Sequence, residues 1–236
     1  MTISLSGQSV LVVGAGGGIG CATLEAFARQ GAIVTAAGRP GEALSAAAAA
    51  AGVAATPLDF LDNEAVERFF AANAPFDHVV IAAASTTSGS VANLDLDAAK
   101  AAMESKFWGA YRVARAAKVN PGGSITLVSG FLSNRPSAGA VLQGAINAAL
   151  EALGRGLALE RAPVRVNIVS PGLINTPLWQ GMSEEARDGM FERTAAKLPA
   201  GRIGQPEDIA SAILFVATNP FATGSTITVD GGGTIA

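Results

Sequence analysis

Apolar residues along the chain fall into two alternating textures. Short runs, apolar throughout and rich in β-branched residues, recur as "SVLVVG" (9–14), "AIVTAAG" (32–38), "HVVIAA" (78–83), "SITLVS" (124–129), "VRVNIVS" (164–170) and "TITVD" near the end. Between them the apolar positions spread out to helical spacing; in "CATLEAFARQG" Leu24, Phe27 and Ala28 share one face, and Gly31 closes the helix. The same reading predicts helices over 41–51, 62–72, 95–118 and 140–160, another after "GQPEDIA", and a short strand near 53–58. Strands that are apolar on both faces and alternate with helices imply a parallel sheet covered on both sides, with right-handed crossovers. The expected fold class is therefore α/β: one doubly wound domain over 1–236 with about seven parallel strands, undivided by linker or repeat.

One segment breaks the rhythm. "PLWQGMSEEARDGMFERTAAKLP", within 177–200, sets Trp179, Met182, Met190 and Phe191 among charges, with Ser183 and two following acids as a helix start. It reads equally as a substrate lid or as outer helical packing. Half of the 236 residues are apolar and only 15% are charged, against roughly 25% for an ordinary soluble domain. Part of that deficit is expected in subunit contacts. A formal charge of −3 offers no basic field for nucleic acid or an anionic membrane, so neither is an expected partner. The apolar run "ALSAAAAAAGVAATPL" is too short to span a bilayer and reads as helix, turn and strand. Cys21 stands alone, which excludes an intrachain disulfide and suits a reducing compartment; the start of the chain carries no export signal, so a cytoplasmic location is expected. Cys21 itself reads as a small buried helix residue, and His78, the sole histidine, as a structural residue at the start of a strand.

The first chemical signal lies between the first strand and the first helix, where "GAGGGIG" spaces Gly14, Gly18 and Gly20. Glycines there permit a tight turn and let a pyrophosphate approach the backbone, while the N–H groups opening the helix face the anion. The end of the second strand reads "AAGRP": it lacks the acid that would bind ribose hydroxyls and offers Arg39, suited to a 2′-phosphate or else an ordinary exposed charge. NADP(H) is accordingly favoured over NAD(H). Asp59 could accept from an adenine amino group or cap its own loop.

With "LDFLD", "RVNIVSPGLINTPL", "GRIGQPEDIA" and "TGSTITVDGG" added, the chain resembles a short-chain dehydrogenase/reductase over essentially its whole length. The resemblance implies a Rossmann-like fold and a dinucleotide site. Its cofactor residues would be Gly14, Gly17, Gly18, Ile19, Gly20, Arg39, Asp59, Phe60, Ala83 and Ala84, with Pro171, Gly172 and Ile174 lining the nicotinamide and Thr176 bonding its carboxamide or phosphate. No metal is implied.

The family's proton-transfer residues are a Tyr, a Lys four residues on, a Ser and an Asn. Alignment on the Pro-Gly segment puts Gln143 at the Tyr and Asn147 at the Lys; the Ser position falls on Gly130, with Ser129 one residue early, and the Asn position on Lys106. Tyr111, the only tyrosine, lies elsewhere, on the helix that carries Lys106. An amide has no proton to transfer near neutrality, so Gln143 cannot replace a phenol. Lys106 and Asn147 look exchanged across one pocket: the ammonium either reaches the cofactor ribose or substrate from the opposite wall, or turns to solvent or to Glu104. Phe131, Leu132, Trp179 and Met182 suggest an apolar pocket wall, with loop packing the alternative.

Two functions follow. One is an NADP(H)-dependent oxidoreductase with a non-standard active site, acting on an apolar small molecule. The other is a non-catalytic NADP(H)-binding protein that senses the cofactor or acts through partners. The resemblance further implies a homodimer or homotetramer.

Overall fold

Strand β1 (Ser9–Val13) shows why the apolar runs do not alternate: Leu11 and Val13 enter one core, Val10 and Val12 the other, and all four are fully buried. In the computed structural model, which describes residues 4–236, six further strands share this two-sided burial to varying degrees. They are β2 (Ile33–Gly38), β3 (Ala55–Pro57), β4 (Phe76–Ile81), β5 (Val119–Val128), β6 (Arg165–Pro171) and β7 (Thr226–Val229). All pair in parallel, in the order β3-β2-β1-β4-β5-β6-β7. One face is covered by α1 (Gly18–Arg29), α2 (Glu42–Ala50) and α8 (Pro206–Thr218). The other is covered by α3 (Asn63–Ala72), α4 (Leu96–Met103), α5 (Gly109–Ala116) and α6 (Val141–Glu160). Leu24 and Phe27 of α1 are fully buried as their spacing predicts, each contributing about 1.5–3 kcal/mol.

The strand order reverses between β1 and β4, so the chain leaves the sheet in opposite directions there and opens a crevice at the carboxyl ends of the strands. Gly14 borders one side of that crevice and Ala82–Ala84 the other. The seven-stranded sheet, the helices at 41–51, 62–72 and 140–160, and the helix, turn and strand read from "ALSAAAAAAGVAATPL" are found within a few residues of expectation.

Four expectations need correction. The helix over 95–118 is not a uniform α-helix, because a π turn at Glu104–Trp108 separates α4 from α5. Strand β5 begins at Val119 rather than 124 and meets β4 through an irregularity between Phe76 and His78. His78 lies two residues inside central β4, 5% exposed, between Ser124 Oγ and Gln8 Oε1, each 2.8 Å away. Burial pushes the His78 pKa down to about 4, with Arg165 adding repulsion. Cys21 is half-buried rather than buried.

In 177–200 the chain makes a short 3₁₀ turn at Pro177–Trp179 and then α7 (Glu184–Ala195), capped by Ser183 as expected and burying none of its own residues. No helix of the described residues is long and apolar enough to cross a membrane.

Candidate functional site

The glycine turn is held by sterics that only glycine satisfies. Gly14 sits at φ +90°, and a Cβ there would lie 2.6 Å from the backbone nitrogen of Ala83, across the crevice. A Cβ on Gly20 would stand 2.1 Å from the Gly14 carbonyl oxygen. The turn therefore draws helix, strand end and the β4 loop together at backbone distance. Among the described residues, the N–H groups of Gly18, Ile19 and Gly20, in the first turn of α1, have no acceptor in the protein. Backbone donors without acceptors, beside a space that side chains leave open, fit the pyrophosphate of a dinucleotide. Thr176 and Pro177 close the turn from the far side, lying 2.9 and 3.0 Å from where a Gly18 Cβ would be. The glycine turn and the Pro-Gly-x-x-x-Thr segment thus meet in space although more than a hundred residues separate them.

A cleft of about 480 Å³ runs from this turn toward β2 and is lined by Gly14, Gly17, Arg39, Phe60, Ala83 and Ala84, as the sequence predicts. It is also lined by Gly16, Gly38, Leu44 and Glu42, which sequence reasoning missed. Arg39 is exposed and has no hydrogen-bond or ion-pair partner among the described residues. Asp59 does not line the cleft: one of its carboxylate oxygens accepts from the Leu61 amide at 3.0 Å, the loop-cap alternative. A second cavity of about 480 Å³, lined by Phe131, Arg135, Leu173, Lys197 and Leu198, lies by the Pro-Gly segment and is mainly apolar. Phe131 belongs to this wall, but Leu132, Trp179 and Met182 do not. The Trp179 indole N–H instead donates to the Ile174 carbonyl at 2.9 Å, tying down the loop.

Lys106 turns neither to solvent nor to Glu104, whose carboxylate pairs with Arg112. From the π turn its ammonium reaches across to α6 and the end of β5, donating to Asn147 Oδ1 at 2.6 Å and to the Ser129 carbonyl at 2.7 Å; Lys106 lines neither of the two cavities. Lys106 and Asn147 are thus bonded to each other. Burial pushes the Lys106 pKa down to about 8, and the Glu151 charge opposes the fall. Gly130 makes room for this contact, since a Cβ there would lie 2.7 Å from Asn147 Nδ2. Gln143, one turn earlier on α6, donates through Nε2 to Thr86 Oγ1 at 3.1 Å, in the coil after β4. That coil is tied to the π turn by the Ser85 amide, which donates to Ser105 Oγ at 2.8 Å. Interruptions of this kind in a long helix occur frequently at functional sites.

Sequence reasoning also missed Glu151 and Ser133. Glu151, 6% exposed, accepts from Ser129 Oγ at 3.0 Å and Ser133 Oγ at 2.6 Å. Its signal was present: residues 143, 147 and 151 repeat at four and place Gln143, Asn147 and Glu151 on one face.

Comparison with known proteins agrees with this fold. A family profile described as enoyl-(acyl carrier protein) reductase matches residues 14–234. A short-chain dehydrogenase/reductase of Stachybotrys chlorohalonatus is 32% identical over 251 residues, covering 97% of this chain and 98% of its own. The chain belongs to the short-chain dehydrogenase/reductase family. Another member, the L-tagatose-forming galactitol 2-dehydrogenase of Cereibacter sphaeroides, is 33% identical over 248 residues, covering 98% and 96%. Among solved dehydrogenases of this fold, a small-chain dehydrogenase in complex with NADPH is 37% identical, with a TM-score of 0.86 over 97% of this chain and 99% of its own.

Proposed function

We propose that the protein is an NADP(H)-dependent oxidoreductase whose proton source is Lys106, in place of the family's phenol. The observation that carries this reading is the 2.6 Å contact between Lys106 Nζ and Asn147 Oδ1, which puts an ammonium beside the position of the family's lysine, delivered from the opposite wall. When bound, the cofactor supplies hydride chemistry; the chain's own residues bind, orient and hold a proton. The free N–H groups of the α1 first turn take the pyrophosphate. Arg39 takes a 2′-phosphate, although Glu42 borders the same cleft. The NADPH complex of a 37% identical relative supports the phosphorylated cofactor.

Gln143, neutral at every working pH, orients a substrate by hydrogen bonding. Lys106 holds a dissociable proton at Nζ with a pKa of about 8, close to neutrality, where general acids are most effective. Its partner Asn147 lies one turn of α6 beyond Gln143, which directs Nζ toward a substrate held by Gln143, directly or through one water. An apolar substrate enters beside Phe131 and Leu173, with α7 as the cover and a homodimer or homotetramer as the assembly.

The test is NADPH and NADH titration by fluorescence, followed by NADPH oxidation with carbonyl, quinone and iminium acceptors. Turnover of a carbonyl that collapses in Lys106→Met supports the reading. Tight NADPH binding without turnover of any acceptor would instead favour the non-catalytic alternative.

A further inference from the structure

Two charged groups lie near the end of β5 without a direct ion pair. Lys106 Nζ is surrounded by neutral oxygens, the Ser129 carbonyl and Asn147 Oδ1. Glu151 is buried, and among the described residues it has no cation within ion-pair distance; its partners are the hydroxyls of Ser129 and Ser133. Carboxylates are almost never this deeply buried unless a charge compensates them, because isolating one costs several kcal/mol.

One residue joins the two halves. Ser129 presents its carbonyl oxygen to the ammonium and its hydroxyl proton to the carboxylate. Both dipoles point in the sense that opposite charges on the two sides would select. We propose that Glu151 is the buried counter-charge of Lys106, a positioning residue that acts through Ser129 to keep the lysine an ammonium at the end of β5.

The charges around Lys106 leave no competitor among the described residues. On its own helix Glu104 is taken by Arg112. The β4 end and following coil bring Ala82–Ser85, the β5 end brings Ser129 and Gly130, and none of these is charged. From α6, Gln143 and Asn147 are neutral, so Glu151 is the charge that opposes the desolvation of Lys106. The contact with Ser133 also pins the 3₁₀ turn Phe131–Ser133, so the same carboxylate fixes the pocket wall that Phe131 forms.

The proposal rests on the reading of Lys106 as the proton source, yet it is tested without turnover. The chain has four lysines, so the Nζ signals of the ¹⁵N- and ¹³C-labelled free protein can be followed against pH and Lys106 assigned by Lys106→Met. Glu151→Gln is expected to move the Lys106 midpoint to lower pH by about one unit, the scale of a single nearby charge, while Glu151→Asp, which keeps the charge, stays closer to the parent. Should Glu151→Gln fail to fold, the double variant Lys106→Met/Glu151→Gln decides: with both charges gone neither is left uncompensated, so it is expected to recover folding in urea denaturation. An unmoved Lys106 midpoint in Glu151→Gln, or a double variant that folds no better than Glu151→Gln, overturns the proposal. A Lys106 midpoint that falls in Glu151→Gln together with full turnover in Lys106→Met would overturn only the assignment of Lys106 as acid.

Discussion

Placing a second lysine where the family carries one would set two ammonium groups against each other. In Asn147→Lys the introduced cation starts where Oδ1 now lies 2.6 Å from Lys106 Nζ. At about 4 Å and an effective dielectric near 20 the repulsion is about 4 kcal/mol. Holding Lys106 neutral at pH 7, one unit below its midpoint of about 8, costs only about 1.4 kcal/mol. Neutralisation therefore wins, and Lys106 gives up its proton. Adding the lost hydrogen bond, about 1 kcal/mol, Asn147→Lys should be destabilised by about 2–3 kcal/mol at pH 7.

The sign of the pH dependence follows from proton uptake. In the parent, Lys106 is lowered from 10.5 to about 8, so its unfavourable contribution grows as pH falls between those values and is constant below 8. In Asn147→Lys the folded midpoint drops further, so stability keeps falling between pH 8 and pH 6, by about 1.4 kcal/mol per unit. Urea denaturation at pH 6, 7 and 8 reads this directly. The double variant Lys106→Asn/Asn147→Lys restores one cation and one amide, and should recover most of the loss and remove the excess slope. A single variant as stable as the parent at pH 6, or a double variant no better than the single, would refute the exchange of the two residues across the pocket.

Three further outcomes are expected. Gly20→Ala puts a methyl 2.1 Å from the Gly14 carbonyl and should abolish NADPH fluorescence enhancement while costing about 1–3 kcal/mol in thermal or urea unfolding. Arg39→Ala should weaken NADPH about 10- to 100-fold by titration and leave NADH nearly unchanged, since a charge-assisted phosphate contact is worth about 1.5–3 kcal/mol. His78 is charged in the unfolded chain below 6.5 but resists protonation in the fold until about 4, so about 3 kcal/mol of stability should be lost as pH falls between those values; His78→Gln, followed by urea denaturation, should flatten that slope.

The cofactor half of the site was legible because its constraints are local. Gly14, Gly18 and Gly20 are demanded by backbone approach within a few residues, and the strand and helix flanking them announce themselves by period. Arg39 was placed at the cleft for the same reason, by its distance from the turn. Asp59 left two readings open because an aspartate after a strand can cap its own loop as well as face a ligand, and here it caps Leu61. Trp179 likewise left pocket wall and loop packing open, because a loop indole advertises apolar surface; its N–H found the Ile174 carbonyl. The lysine's partner was illegible: a four-methylene chain can swing to solvent, to Glu104 or across the pocket, and composition does not choose.

By itself the sequence determined the α/β alternation, the two-faced burial of the strands and the glycine turn, since these follow from side-chain period and from the absence of a Cβ. It also placed Gln143 and Asn147 one turn apart on a single helical face. Tertiary structure alone decided that the π turn at Glu104–Trp108 aims Lys106 at Asn147, that Gly130 makes space for the amide, and that Ser129 stands between the lysine and Glu151. The physical reason is range: period and turn chemistry act within one element, whereas the energy of a buried charge depends on groups from three elements that meet only once the sheet and both helices are packed.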